Sequence, residues 1–216
     1  LTPLKGEVQR ALLTSDFETV TRLAIENRKV FSVLISIAYD KEDVLCWRAI
    51  EAMGKAAGAV AERDPATVRA IVQRLLWSLS EESGGIGWSA PEMLGEIVRN
   101  HPWAFEDIPP IILSFHEEEM FLKGVLWAMG RIAEAGIDNV EGAADLAVKC
   151  LGDKDPQVRG LAVQALSQMR IAEVKDKIGL MTSDRDKIIL YEGCELREKT
   201  VGDAAIAALH CFPESL

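Results

Sequence analysis

Residues 153 to 169, Asp-Lys-Asp-Pro-Gln-Val-Arg-Gly-Leu-Ala-Val-Gln-Ala-Leu-Ser-Gln-Met, constrain the fold of this chain more than any other stretch. Asp155 is a good helix N-cap, and Pro156 sits in the first turn, where a missing amide hydrogen costs nothing. Val158, Leu161, Ala162, Ala165, Leu166 and Met169 then follow at helical spacing, so all six share one apolar stripe. Small and large side chains are mixed along it. A neighbouring helix can therefore approach closely, and the segment reads as a helix made to be stacked.

The same stripe recurs upstream. Leu45, Ala49, Ala52, Met53 and Ala56 repeat it in a predicted helix over 43–62, as do Ile86, Ala90, Met93, Leu94 and Ile97, and Phe121, Val125, Ala128, Met129 and Ile132. The four stripes start 41, 35 and 37 residues apart, a spacing that argues for repeated helical units. Gly54, Gly95 and Gly130 fall at one shared position, with Ser167 as the fourth member. A mid-helix glycine costs about 1 kcal/mol relative to alanine, so its recurrence predicts a close helix crossing.

The stretch resembles the second helix of a HEAT repeat, whose Asp-Pro-x-Val-Arg opening and spaced small residues are matched by Asp155, Pro156, Val158, Arg159, Ala162, Ala165 and Leu166. Within that class it looks most like the short repeats of the phycobilin lyases. The resemblance implies an all-α, right-handed α–α superhelix of about five helical pairs. It also implies a concave surface lined by the second helices, and says little about chemistry; the expected role is a non-catalytic protein-binding scaffold or adaptor that needs no cofactor. Two alternatives come with it: a bilin lyase-like chromophore attachment or chaperone protein, and a DNA-binding repair protein of the HEAT-like alkylpurine glycosylase kind.

The remaining chain fits a single solenoid domain over 1–216, with an N-terminal cap over 1–27, core repeats over 28–170 and a C-terminal cap over 171–216. Helices are predicted over 4–13, 16–26 and 28–39. The partner helices of the repeats fall over 65–80, about 107–115 and 139–151, and a short helix over 172–180. Residues 187–201 read as a β-hairpin turning at Glu192 to Cys194, with Glu195, Arg197 and Lys199 on a solvated face. It would take the place of the first helix of the last unit. Ala205, Ala208 and Leu209 return to the repeat pattern over 202–211.

Charge narrows the partners. The chain of 216 residues carries a net charge of −10, and its one adjacent basic pair is Arg28-Lys29. A phosphate backbone needs clustered Lys and Arg, so the expected partner is a protein and not nucleic acid, and the basic concave surface of the glycosylases is missing. No apolar run approaches the roughly 18 residues of a membrane span, and the start, Leu-Thr-Pro-Leu-Lys-Gly, lacks the pattern of a secretory signal. The expected location is the cytoplasm. Cys46, Cys150, Cys194 and Cys211 are scattered and lack zinc-site spacing, and Cys46 and Cys150 read as buried small hydrophobes.

Positions two, six and ten residues past the start of each stripe lie about 200°, 240° and 280° around the helix, away from the stripe. They hold Trp47, Glu51 and Lys55; Trp88, Glu92 and Glu96; Lys123, Trp127 and Arg131; and Gly160, Gln164 and Gln168. Aromatic residues and arginine are favoured interface anchors. Trp47, Glu51, Trp88, Glu92, Lys123, Trp127 and Arg131 are therefore the predicted partner-binding residues. The glycine-rich stretch from Ser83 to Gly87 matches neither a phosphate loop nor a dinucleotide fingerprint and reads as a connection. His116-Glu117 is the one His-Glu pair, where the iron-binding deoxyhypusine hydroxylases carry several, so it reads as a loop at a helix start. No metal site and no catalytic residue is assigned.

Overall fold

A computed structural model describes residues 2–80, 87–137 and 140–212. Twelve α-helices and one antiparallel hairpin are present among them, in two compact units, Leu1–Ile108 and Pro109–Leu216. The stretch Ser83 to Ile86, most of the glycine-rich connection, lies outside the described residues.

In the first unit α1 (Pro3–Leu13) and α2 (Phe17–Glu26) form one pair, α3 (Lys29–Ile37) and α4 (Val44–Ala61) a second, and α5 (Pro65–Ser80) and α6 (Ala90–Asn100) a third. Short polar side chains start α2, α4 and α5: Asp16 accepts from Thr19 N at 3.0 Å, Asp43 from Leu45 N at 2.9 Å and Asp64 from Thr67 N at 3.1 Å. The second helices α2, α4 and α6 stack in sequence order, each backed by the first helix of its pair. Ala49, Ala52, Met53 and Ala56 of α4 and Met93, Leu94 and Ile97 of α6 are buried in the core, as the repeated stripe predicts. Arg48 is the buried cation of this unit among the described residues. Its guanidinium donates to the carbonyls of Leu12 at 3.1 Å and Leu13 at 2.8 Å, satisfying the end of α1.

The second unit holds α7 (Pro109–Ser114), α8 (Glu119–Ala133), α9 (Ala143–Cys150), α10 (Pro156–Met169), α11 (Lys175–Leu180) and α12 (Val201–Leu209). Here α8, α10 and α12 are the stacked second helices. All six stripe residues of α10, from Val158 to Met169, are buried. Helix α9 begins four residues later than the sequence predicts. Gly142, at φ 85°, breaks the backbone immediately before it.

Between α11 and α12 stand β1 (Lys187–Glu192) and β2 (Glu195–Thr200), paired from Lys187↔Thr200 to Glu192↔Glu195. The hairpin is thus an addition and not a replacement for a first helix, because the short α11 already packs against α12. It docks on α10. Ile188 fills the space over Gly160, where a Cβ would overlap its Cδ1, and the Gln157 side chain donates to Ile189 O at 2.7 Å and accepts from Ile189 N at 3.0 Å. That amide stands in for a third strand. Glu195 and Arg197 are exposed as predicted, whereas Lys199 is half-buried and bonded to Glu192 at 2.6 and 2.8 Å.

Both central residues of the hairpin turn are left-handed, Gly193 at φ 59° and Cys194 at φ 66°. A residue with a Cβ costs about 1–2 kcal/mol there, partly offset by the unfolded-chain entropy a glycine adds. Cys194→Gly is expected to raise the denaturant midpoint by the equivalent of about 0.5–1 kcal/mol. A midpoint at or below wild type would show that the strain is absent.

Candidate functional site: the second-helix face

Within each unit, glycine sets the spacing of one pair of second helices, α4 with α6 and α8 with α10. A Cβ on Gly54 of α4 would lie 2.5 Å from Glu96 O of α6, and one on Gly58 would lie 3.0 Å from Asn100 O. Gly130 of α8 plays the same part in the second unit, with Ala165 Cα of α10 3.0 Å from a Cβ built there. The predicted close crossing is present at Gly54 and Gly130.

In the first unit this crossing gathers the starts of α4 and α6 around the turn at residues 40–43. Trp47 is half-buried, and its indole Nε1 donates to Lys41 O at 2.9 Å, holding the turn against α4. Lys41 reaches across and pairs its ammonium with Oε1 of Glu92. Glu92 is 1% exposed, and its Oε2 finds no hydrogen-bond partner among the described residues. Ser89 and Cys46 are buried alongside, Oγ and Sγ 3.9 Å apart. Burial pushes the Cys46 thiol up to about 12; the Ser89 contact pulls the other way, and the Glu92 carboxylate adds to the rise. This cysteine is an inert packing group. Trp88, immediately before Ser89, remains 43% exposed.

Further along, Glu51 pairs with Lys55 one helical turn away at 3.4 Å, and the Lys55 ammonium lies 5.2 Å from the centre of the Phe17 ring on α2. Phe17, Thr21, Ile25 and Lys55 line an open cavity of about 700 Å³. Glu96 is fully buried, with Asn100 Nδ2 3.3 Å and Arg99 3.5 Å from its Oε2.

In the second unit Lys123 bonds Asp155, the N-cap of α10, at 2.7 Å. Trp127 is buried at 4% exposure, with Arg131 stacked 5.4 Å from its ring centre and paired to Glu134 at 2.7 Å.

The predicted row is therefore open only in part. Trp88 and Lys123, two residues past the stripe start, keep open surface, whereas Glu92 and Trp127, six residues past it, lie inside the molecule and not on an open face. A second helix in a stack is covered along its flanks as well as on its stripe, and a helical wheel does not say where that cover ends. Lys41, Cys46 and Ser89, which complete the Glu92 cluster, carry no sequence signal: Lys41 and Glu92 are 51 residues apart. Among the described residues no group of three or more His, Cys, Asp and Glu side chains could hold a metal ion. No helix there is long and apolar enough to cross a membrane.

Stacked helical pairs with a shared second-helix register define the armadillo and HEAT class of helical repeat proteins. Residues 120–169, from α8 to α10, match the sequence profile of the HEAT-like repeat. An uncharacterized protein of Archaeoglobus fulgidus is 26% identical over 180 residues, covering 81% of this chain and 93% of the relative. Among solved structures, a designed armadillo repeat protein in complex with the peptide (KR)4 superposes with a TM-score of 0.58 at 20% identity, over 98% of this chain and 95% of the other. A second designed armadillo repeat protein gives 0.55 at 19% identity, over 98% and 96%. The fold is that of an armadillo- or HEAT-like repeat protein.

Proposed function

We propose that the chain is a protein-binding scaffold that holds a peptide segment of its partner on its second-helix face. The carrying observation is the open aromatic surface at Trp88, in the turn that leads into α6, together with half-buried Trp47 on the neighbouring second helix α4 of the same fold unit. The designed armadillo repeat protein that shares this fold is in complex with a peptide, which supports the same use of the fold here. With a net charge of −10, the partner is a protein and not a nucleic acid. The bilin-lyase reading has the resemblance of residues 153–169 as its sole support. In the first unit Trp88 would contact the partner directly, while Glu51 and Glu92 would shape and hold the face from within; in the second unit Lys123 is the exposed contact residue of its own second-helix face, with Trp127 and Arg131 supporting it.

The test is a peptide array probed with the wild-type chain and with Trp47→Ala/Trp88→Ala. A discrete set of bound peptides is expected, with affinity falling at least about ten-fold in the double variant while the helical circular dichroism is kept. Unchanged affinity, or an array without a bound peptide, would overturn the assignment.

A further inference from the structure

Glu92 is a carboxylate buried to 1% exposure with one oxygen paired and the other without a partner among the described residues. Desolvating an ionised group costs several kcal/mol unless its lone pairs are met, so a half-satisfied carboxylate is a poor structural device. Its one partner is poorly matched to it. An ammonium is a point donor and serves Oε1, whereas a guanidinium presents two parallel N–H groups that match both oxygens of a carboxylate. The occupant is also removable: the Lys41 side chain is 31% exposed and comes from the 40–43 turn, where Glu42 and Asp43 are exposed. Trp47 latches that turn through the Lys41 carbonyl, and the exposed Trp88 stands three residues before the neighbouring Pro91-Glu92 turn of α6.

We infer that Glu92 is a seat for an arginine side chain of the bound partner, and that Lys41 is the chain's own occupant, which the guest replaces. The exchange conserves charge in the cluster. One cation leaves toward solvent as another enters, and the entering one satisfies the oxygen that lysine leaves open. The acidic chain favours the approach of such a guest. This inference rests on the second-helix face being the binding surface, and adds the class of side chain it accepts.

Three tripeptides test it: acetyl-Gly-Arg-Gly-amide and its lysine and citrulline counterparts, titrated calorimetrically. Citrulline keeps the shape of arginine and removes the charge. The arginine probe is expected to bind Lys41→Met at least about ten-fold more tightly than wild type, and at least about ten-fold more tightly than either other probe. Lys41→Arg should fill the seat itself, raising the thermal midpoint and excluding the probe. Glu92→Gln, which removes the buried charge and so is compatible with folding, should abolish binding of the arginine probe in either background. Glu173→Gln, an exposed acid in the other unit, should leave it unchanged. Equal binding of the three probes, or arginine binding that survives Glu92→Gln, overturns the seat. If peptides on the array bind while the arginine probe does not, the seat fails and the scaffold stands. If the probe binds at Glu92 while no array peptide does, the seat stands and the scaffold reading fails.

Discussion

Replacing Gly54 by alanine lowers the stability of the chain by about 2 kcal/mol or more, although the same exchange in an unencumbered helix raises it by about 1 kcal/mol. The reason is the partner a methyl group would meet. It would stand 2.5 Å from Glu96 O and 2.7 Å from Glu96 C, which are backbone atoms of α6 and cannot swing aside. It would also stand 2.6 Å from Asn100 Nδ2, displacing the amide that donates to Glu96 O at 2.8 Å. The two helices must separate, and the buried contacts of Met53, Met93 and Ile97 loosen with them. Gly6→Ala is the counterpart. Its Cβ meets the end of the Arg10 side chain at an ordinary 3.7 Å, so the propensity gain is kept and stability rises by up to about 1 kcal/mol. Urea midpoints of both variants decide the point. If Gly54→Ala matches or exceeds wild type, the crossing is looser than described.

That glycine illustrates what the sequence could tell. Gly54 and Gly130 share a register position, and register along one helix is legible from periodicity alone. So are helix starts where chemistry is local: α5 runs from Pro65 to Ser80 as predicted, because Asp64-Pro65 supplies both cap and first turn. The N-cap geometry of Asp155 followed in the same way. What periodicity cannot supply is the cover along the flanks of a stacked helix, which depends on side chains many residues away. The helical wheel gives only an angle, and that angle puts Glu92 on an open face. Its burial is decided by the stacking of α4 on α6 and by Lys41 from a turn before α4. Trp127 fails for a related reason: large apolar area at an ambiguous angle is more stable covered than open. The hairpin was legible as a hairpin, but its site was not. That site depends on Gly160, whose missing side chain reads in sequence as one more small residue of the repeat.

Arg159→Ala is expected to cost about 2–3 kcal/mol at neutral pH, and the loss should shrink on acidification. The Arg159 side chain is 12% exposed and ties three parts of the second unit together. Its Nη1 donates to Asp153 O at 2.9 Å in the turn before α10, its Nε to Asp184 at 2.8 Å and its Nη2 to Asp186 at 2.6 Å in the approach to β1. Asp186 is 63% exposed and adds little. Most of the effect comes from Asp184, 16% exposed, and from the orphaned carbonyl. The hydrogen bond from Arg159 outweighs burial and holds the Asp184 carboxyl below the usual carboxylate range. A depressed folded value means that the stabilisation is complete above the unfolded value of about 4, and is lost as pH falls through the folded one. Wild type and Arg159→Ala should therefore differ most near neutrality and converge as the pH drops below about 4. Arg159→Lys keeps the charge but reaches fewer acceptors, and should recover roughly half the loss. Urea midpoints of the three proteins at about pH 7 and about pH 3 measure both effects. A gap that stays constant between those conditions would show that Asp184 is not the group through which Arg159 acts. The arginine of the repeat signature would then be holding the Asp153 turn alone.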